Sequence, residues 1–184
     1  RQMCIRDSLK SDFIFTLKYH SIESIFYHPV MIEFFIKKHG DIFEVDISAI
    51  NNIKRDILTV LIDPSKKKDL CSLAVNKSVR WMFNQLMPSH RGGFENKNVS
   101  INAGDIYNNE LSIYEDALER KDVNFLIERY SIRRTGMIDK IIRRLNCPNR
   151  AFYETKIMSL VRDDQEARHF VIECLDGLPE SVYS

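Results

Sequence analysis

The sequence predicts an all-α fold, an α-solenoid of short stacked helices. Three observations lead there. Apolar residues recur at helical spacing while strand alternation is scarce. The helical stretches are short and punctuated by Pro, Gly, Asn or Asp. A turn-like pattern also recurs, irregularly, at intervals of about 24 residues. The chain has 184 residues, 44% of them hydrophobic, enough for one domain with a buried core.

Taken in order, Arg1 to Ser8 stand apart. Gln2 to Asp7 read as the translated mosaic-end tag of a transposon-based sequencing library, so residues 1–8 are set aside as non-native. Residues 9–184 are then expected to be a single α-helical repeat domain, a fragment of a longer protein. Leu9 to Tyr19 is apolar-rich without a clear period. Ile22, Ile25 and Phe26 form a short face that stops at His28-Pro29, because proline disfavours helix in the residue before it and suits a first helical turn. Val30 to Lys38 is the next helix, with Phe34 and Phe35 inward and Gly40 closing it. Ser48 is placed to cap a helix through Ile50, Ile53, Ile57, Leu58 and Leu61, which Asp63-Pro64 ends. Lys66 to Val75 and Val79 to Met87 follow as a helical pair. Residues 88–104 hold Gly92-Gly93 and three asparagines, the composition of a long loop or insertion. Helical spacing resumes over Asp105 to Arg120, Val123 to Tyr130, Met137 to Leu145, Arg150 to Val161 and Gln165 to Leu175. Leu178-Pro179 opens one more segment.

The recurring pattern is a polar anchor preceded by an apolar residue, with two apolar residues six and seven places on. His28 fits it, with Tyr27 before and Phe34-Phe35 after. So do Asn51 (Ile50, Ile57-Leu58), Asn76 (Val75, Met82-Phe83), Asn146 (Leu145, Phe152-Tyr153) and Asp176 (Leu175, Val182-Tyr183). Each anchor is expected to mark a sharp turn, since proline stops a helix while Asn and Asp tolerate left-handed or capping conformations. Helices of two or three turns cannot bury an apolar face alone, and stacking joins their faces into one core. Trp81, beside Met82-Phe83, is expected to pack between such units.

The runs from Asn76 to Phe83 and from Asn146 to Phe152 resemble the Asn-Pro-x-x-Pro core of leucine-rich repeat variant units. Asp163 to Val171 is similar to the related HEAT-type pattern, with Asp before a helix and Arg then Val within it. The resemblance spans about Ser21 to Ser184, with a poor stretch between Pro88 and Asp122. No unit carries both prolines, and Phe or Ile often stands where the family has leucine. The resemblance implies a right-handed solenoid of short helices used as a binding scaffold.

With 27 basic and 26 acidic residues the net charge is +1, which favours no class of partner. No apolar run reaches the roughly 18 residues needed to cross a bilayer, and no signal-peptide core is visible. A cytoplasmic location and no membrane partner are expected. Outside the tag, Cys71, Cys147 and Cys174 are odd in number and widely spaced, which argues against a disulfide framework or a structural zinc site and for small core residues. His20, His28, His39 and His90 match no metal-ligand spacing. No phosphate-cradling glycine loop is present, so no metal and no cofactor is expected.

Three functional readings remain open. The first is a non-enzymatic scaffold that binds another protein. The second is a HEAT-like nucleic-acid-binding domain: Arg129, Arg133, Lys140 and Arg144 are spaced by four, seven and four residues and would share one helical stripe if Gly136 leaves the helix intact. The third is a helical ribonuclease, because Arg162 followed by six residues and His169 resembles the signature of HEPN-type ribonucleases, where Arg and His flank a scissile phosphate.

Overall fold

The computed structural model describes residues 16–86 and 100–176. Residues 1–8, the rest of the first segment up to residue 15, residues 87–99 of the expected loop, Leu178-Pro179 and Val182-Tyr183 lie outside the described residues. Among the described residues the fold is all-α, apart from one two-residue strand pair. In that pair Thr16–Leu17 (β1) runs antiparallel to Leu175–Asp176 (β2), with Leu17 opposite Leu175.

Helix α1 (Ile22–Phe26) ends at Tyr27, and α2 (Pro29–Phe43) begins at once. Pro29 takes the first helical position, where its missing N–H costs nothing, and the His28 Nδ1 accepts from Val30 N at 3.2 Å. Gly40 does not close α2 as expected. The helix runs on to Phe43, and Glu44 makes the left-handed turn at φ 54°. Gly40 serves a close approach instead: Val45 N donates to its carbonyl at 2.9 Å, and a Cβ at residue 40 would overlap the Val45 carbonyl oxygen. Gly40→Ala is therefore expected to cost about 2 kcal/mol, read as a lower urea midpoint at unchanged slope.

Helix α3 (Ala49–Leu61) buries Ile50, Ile53, Ile57 and Leu61, the face expected from their spacing. Asp63 then accepts from Ser65 N at 2.8 Å at the start of α4 (Pro64–Leu86). The returning half comprises α5 (Ala103–Glu119), α6 (Val123–Arg129), a 3-10 turn (Ile132–Thr135), α7 (Met137–Arg144), α8 (Arg150–Asp163) and α9 (Gln165–Glu173). Asn102, Asp122, Asn149 and Asp164 cap α5, α6, α8 and α9 through side-chain oxygens.

Two of the five anchors sit at helix junctions. His28 separates α1 from α2. Asn146 separates α7 from α8 at φ 51°, donating Nδ2 to the Phe43 carbonyl at 2.9 Å. The other three require correction. Asn51 lies in the first turn of α3, because the buried face already starts at Ile50. Asn76 lies within α4, which passes through it unbroken. Neither Gly nor Pro stands near Asn76, and the helix cost of Asn and Ser, at most about 0.7 kcal/mol each, is small beside burial of Leu70, Cys71, Ala74 and Val75. Asp176 belongs to β2 and pairs with Thr16.

The helices also pair differently from a nearest-neighbour stack, in which each unit touches only its sequence neighbours. The chain runs out through α1–α4 and back through α5–α9. Helix α4 packs on α5, α3 on α7 and α6, and α2 on α8 and α9. All three cysteines of the described residues are free and buried, with burial pushing each thiol up to about 11. No helix among the described residues is long and apolar enough to cross a membrane.

Candidate functional site

A cleft of about 460 Å³ opens where the segment after β1 crosses between α4 and α6. Its position follows from backbone pairing. Lys18 N donates to the Cys174 carbonyl at 2.9 Å and His20 N to the Glu128 carbonyl at 2.7 Å, so Lys18, Tyr19 and His20 form one wall. On α4, Ala74 is buried, and Lys77 and Ser78, three and four residues on, rise from the same side as the opposite wall. Helix α6 buries Val123, Leu126 and Ile127, which leaves Phe125, Glu128 and Arg129 towards the cleft.

The floor is a buried carboxylate. Glu110 on α5 is only 3% exposed. It accepts from Arg129 Nε and Nη2, each at 2.7 Å, and from the Tyr130 hydroxyl at 2.7 Å. Burial by itself would raise the Glu110 pKa. The three hydrogen bonds outweigh burial and hold it below the usual glutamate range. Arg129 also lies over the Phe125 ring, 5.9 Å from its centroid.

The surrounding titratable groups are displaced in both directions. Burial, and then the Lys77 charge, push His20 down. Burial pushes Lys77 down although the residue is exposed at the cleft lip, and lifts Glu128. Behind Glu128, the His28 ring is sandwiched between Tyr19 and Phe170, at 5.8 and 5.1 Å. Its Nε2 stands 3.3 Å from Glu128 Oε1 but out of hydrogen-bond alignment, and burial pushes the imidazole down to about 4. His28 is thus neutral at physiological pH. The convergence of these groups on one cleft makes it the candidate site.

The sequence-predicted basic stripe is dispersed. Helix α6 ends at Arg129, where Tyr130 turns extended, and Gly136 adopts φ 74° between the 3-10 turn and α7, so Arg129, Arg133, Lys140 and Arg144 do not share one helix. Three of them are also engaged with carboxylates: Arg129 with Glu110, Arg133 with Glu23 at 3.6 Å, and Arg144 with Asp56 at 2.8 Å. Lys140 remains beside Arg143, Arg144 and Asp56 at an open hollow of about 430 Å³. Arg162 lies in the last turn of α8 and binds Asp163 at 2.8 Å, whereas His169 is on α9 and faces Glu173 at 3.2 Å. Each is thus paired within or next to its own helix. Trp81 and Met82 correct the packing expectation, for they are 47% and 37% exposed. Among the described residues no three His, Cys, Asp or Glu side chains converge as a metal-binding set.

No family model, curated protein or solved structure matches the chain.

The sequence does not reveal the cleft, because its walls come from four separate segments. One signal for it was present: Glu110 falls four and seven residues before the buried Tyr114 and Ala117, an acid in the register of an apolar face.

Proposed function

We propose that the chain is a non-enzymatic helical interaction module that docks a segment of another protein along α4, beside the cleft. The observation that carries this reading is the exposed pair Trp81 and Met82. Each lies four residues beyond a cleft residue, Lys77 and Ser78, so the apolar pair continues the cleft wall by one helical turn. A large aromatic next to a flexible thioether, beside polar groups, is the composition of a protein-binding hot spot. The reading keeps one element of the leucine-rich repeat variant and HEAT-like resemblance, a surface of short helices that offers side chains to a partner. A solenoidal concave face is not needed for it.

Phosphate-backbone binding by a nucleic-acid partner is the second reading, favoured by the exposed Lys140 and Arg143 at the α7 hollow. It ranks lower because Arg129, Arg133 and Arg144 already face internal carboxylates.

A photoreactive residue at position 81 is expected to crosslink one partner protein in cells, while the same residue at Lys68, exposed earlier on α4, is not. Met82→Asp should abolish that crosslink. Trp81→Ala should weaken binding of the captured partner at least about tenfold while changing stability by less than about 1 kcal/mol. Equal labelling at 68 and 81, or crosslinks to nucleic acid, would overturn the reading.

A further inference from the structure

We infer that the cleft between Lys18–His20, α4 and α6 is an oxyanion site, which takes the phosphate or carboxylate group of a ligand against Arg129, Lys77 and Lys18. The inference rests on the docking reading, because the anion is the charged group a docked segment would insert one helical turn from Trp81.

Arg129 carries most of the argument. Glu110 holds one edge of its guanidinium through Nε and Nη2, and among the described residues nothing accepts from Nη1. The side chain is 39% exposed at the cleft. A guanidinium pinned along one edge presents the other in a fixed direction, so little further side-chain entropy is lost when a ligand oxygen binds. The pinning is itself secured, because Tyr130 donates to the same Glu110 oxygen that receives Arg129 Nε.

The balance of charge points the same way. Of the two cleft carboxylates, Glu110 is consumed by Arg129 and Tyr130. Glu128 stands against the Tyr19 hydroxyl and His28, and burial disfavours its ionised form. Lys18 and Lys77 also line the cleft, and among the described residues neither meets a carboxylate. The two lysines outnumber Glu128, the one cleft carboxylate that no cation offsets among the described residues, so the space keeps an excess of positive charge. His20 adds to this when protonated. Its neighbouring charges are Lys77 on α4, which opposes protonation, and Glu23 on α1, which favours it. A bound oxyanion would shift that contest towards the imidazolium. The hollow at α7 lacks these features, since Asp56 occupies Arg144 and the cations there are set on an open surface.

The test is a titration of the whole chain with inorganic phosphate and, separately, with acetate, followed by NMR at the His20 imidazole, the Lys77 ammonium and the Arg129 guanidinium. Saturable shifts confined to these groups are expected with at least one anion. Response to phosphate alone assigns a phosphorylated ligand, and response to acetate alone assigns a carboxylate. Lys77→Glu, a change at an exposed site, should weaken the binding about tenfold. Arg129→Lys, which keeps a cation on Glu110, should weaken it while leaving the fold intact. No saturable shift with either anion, or equal affinity in Lys77→Glu, overturns the inference. Trp81→Ala should leave anion affinity unchanged, so a failure of the docking reading is seen separately.

Discussion

Tyr153→Ala is expected to lower the stability of the fold by about 4 kcal/mol, a large share of the 5–15 kcal/mol typical of a domain. Tyr153 is fully buried in α8 and joins the two halves of the chain. Its ring lies 5.0 Å from that of Phe35 on α2 and 5.2 Å from that of Tyr27, and its hydroxyl donates to the Phe26 carbonyl at 2.8 Å. The substitution removes the ring, two aromatic contacts and that hydrogen bond together. Tyr153→Phe separates the last contribution and should cost about 1 kcal/mol. Urea unfolding checks both. A loss below about 1 kcal/mol in the alanine variant would show that α8 is not what holds α2.

The second large effect is at the cleft floor. Glu110→Ala should destabilise by about 3 kcal/mol, because the buried Tyr130 hydroxyl and the Arg129 guanidinium lose their shared acceptor. The figure is at the low end for a broken buried pair because Arg129, 39% exposed, can turn towards water. A pH dependence accompanies it. The carboxyl is held below its ordinary value of 4.5 in the folded state, so its contribution is complete above that value. It is lost as pH falls through the lower folded value. Glu110→Gln, which still accepts from Tyr130, should flatten the acid limb of the stability–pH profile below about pH 4.5 and cost less at neutral pH than the alanine change. An unchanged acid limb in Glu110→Gln would assign the acid sensitivity to another group.

Local structure was legible wherever spacing and punctuation agreed. Ile50, Ile53, Ile57 and Leu61 with Asp63-Pro64 defined α3, and His28-Pro29 defined the start of α2. A degenerate pattern singles out Asn76 and suggests two helices over residues 66–87, although nothing around it breaks a helix. Gly136 shows the opposite case: its left-handed φ divides a run of basic residues that spacing alone would join. The pairing of helices was not legible, because apolar faces state that they need cover without stating which helix supplies it. The cleft inherits that limit, since Lys18, Lys77, Glu110 and Arg129 meet only after the two halves pair.

The meeting of α2 with α8 also sets the order of events when the chain is made. Tyr27 bonds Glu154 across 127 residues, Asn146 bonds the Phe43 carbonyl across 103, and Arg144 pairs with Asp56 across 88. A linear array can consolidate unit by unit as it leaves the ribosome. Here α2 and α3 emerge before α7 and α8, and the parts of their apolar faces that these helices cover stay open until both have been synthesised. Such non-local closure slows folding and lengthens the interval in which a nascent chain is open to aggregation or to chaperone capture.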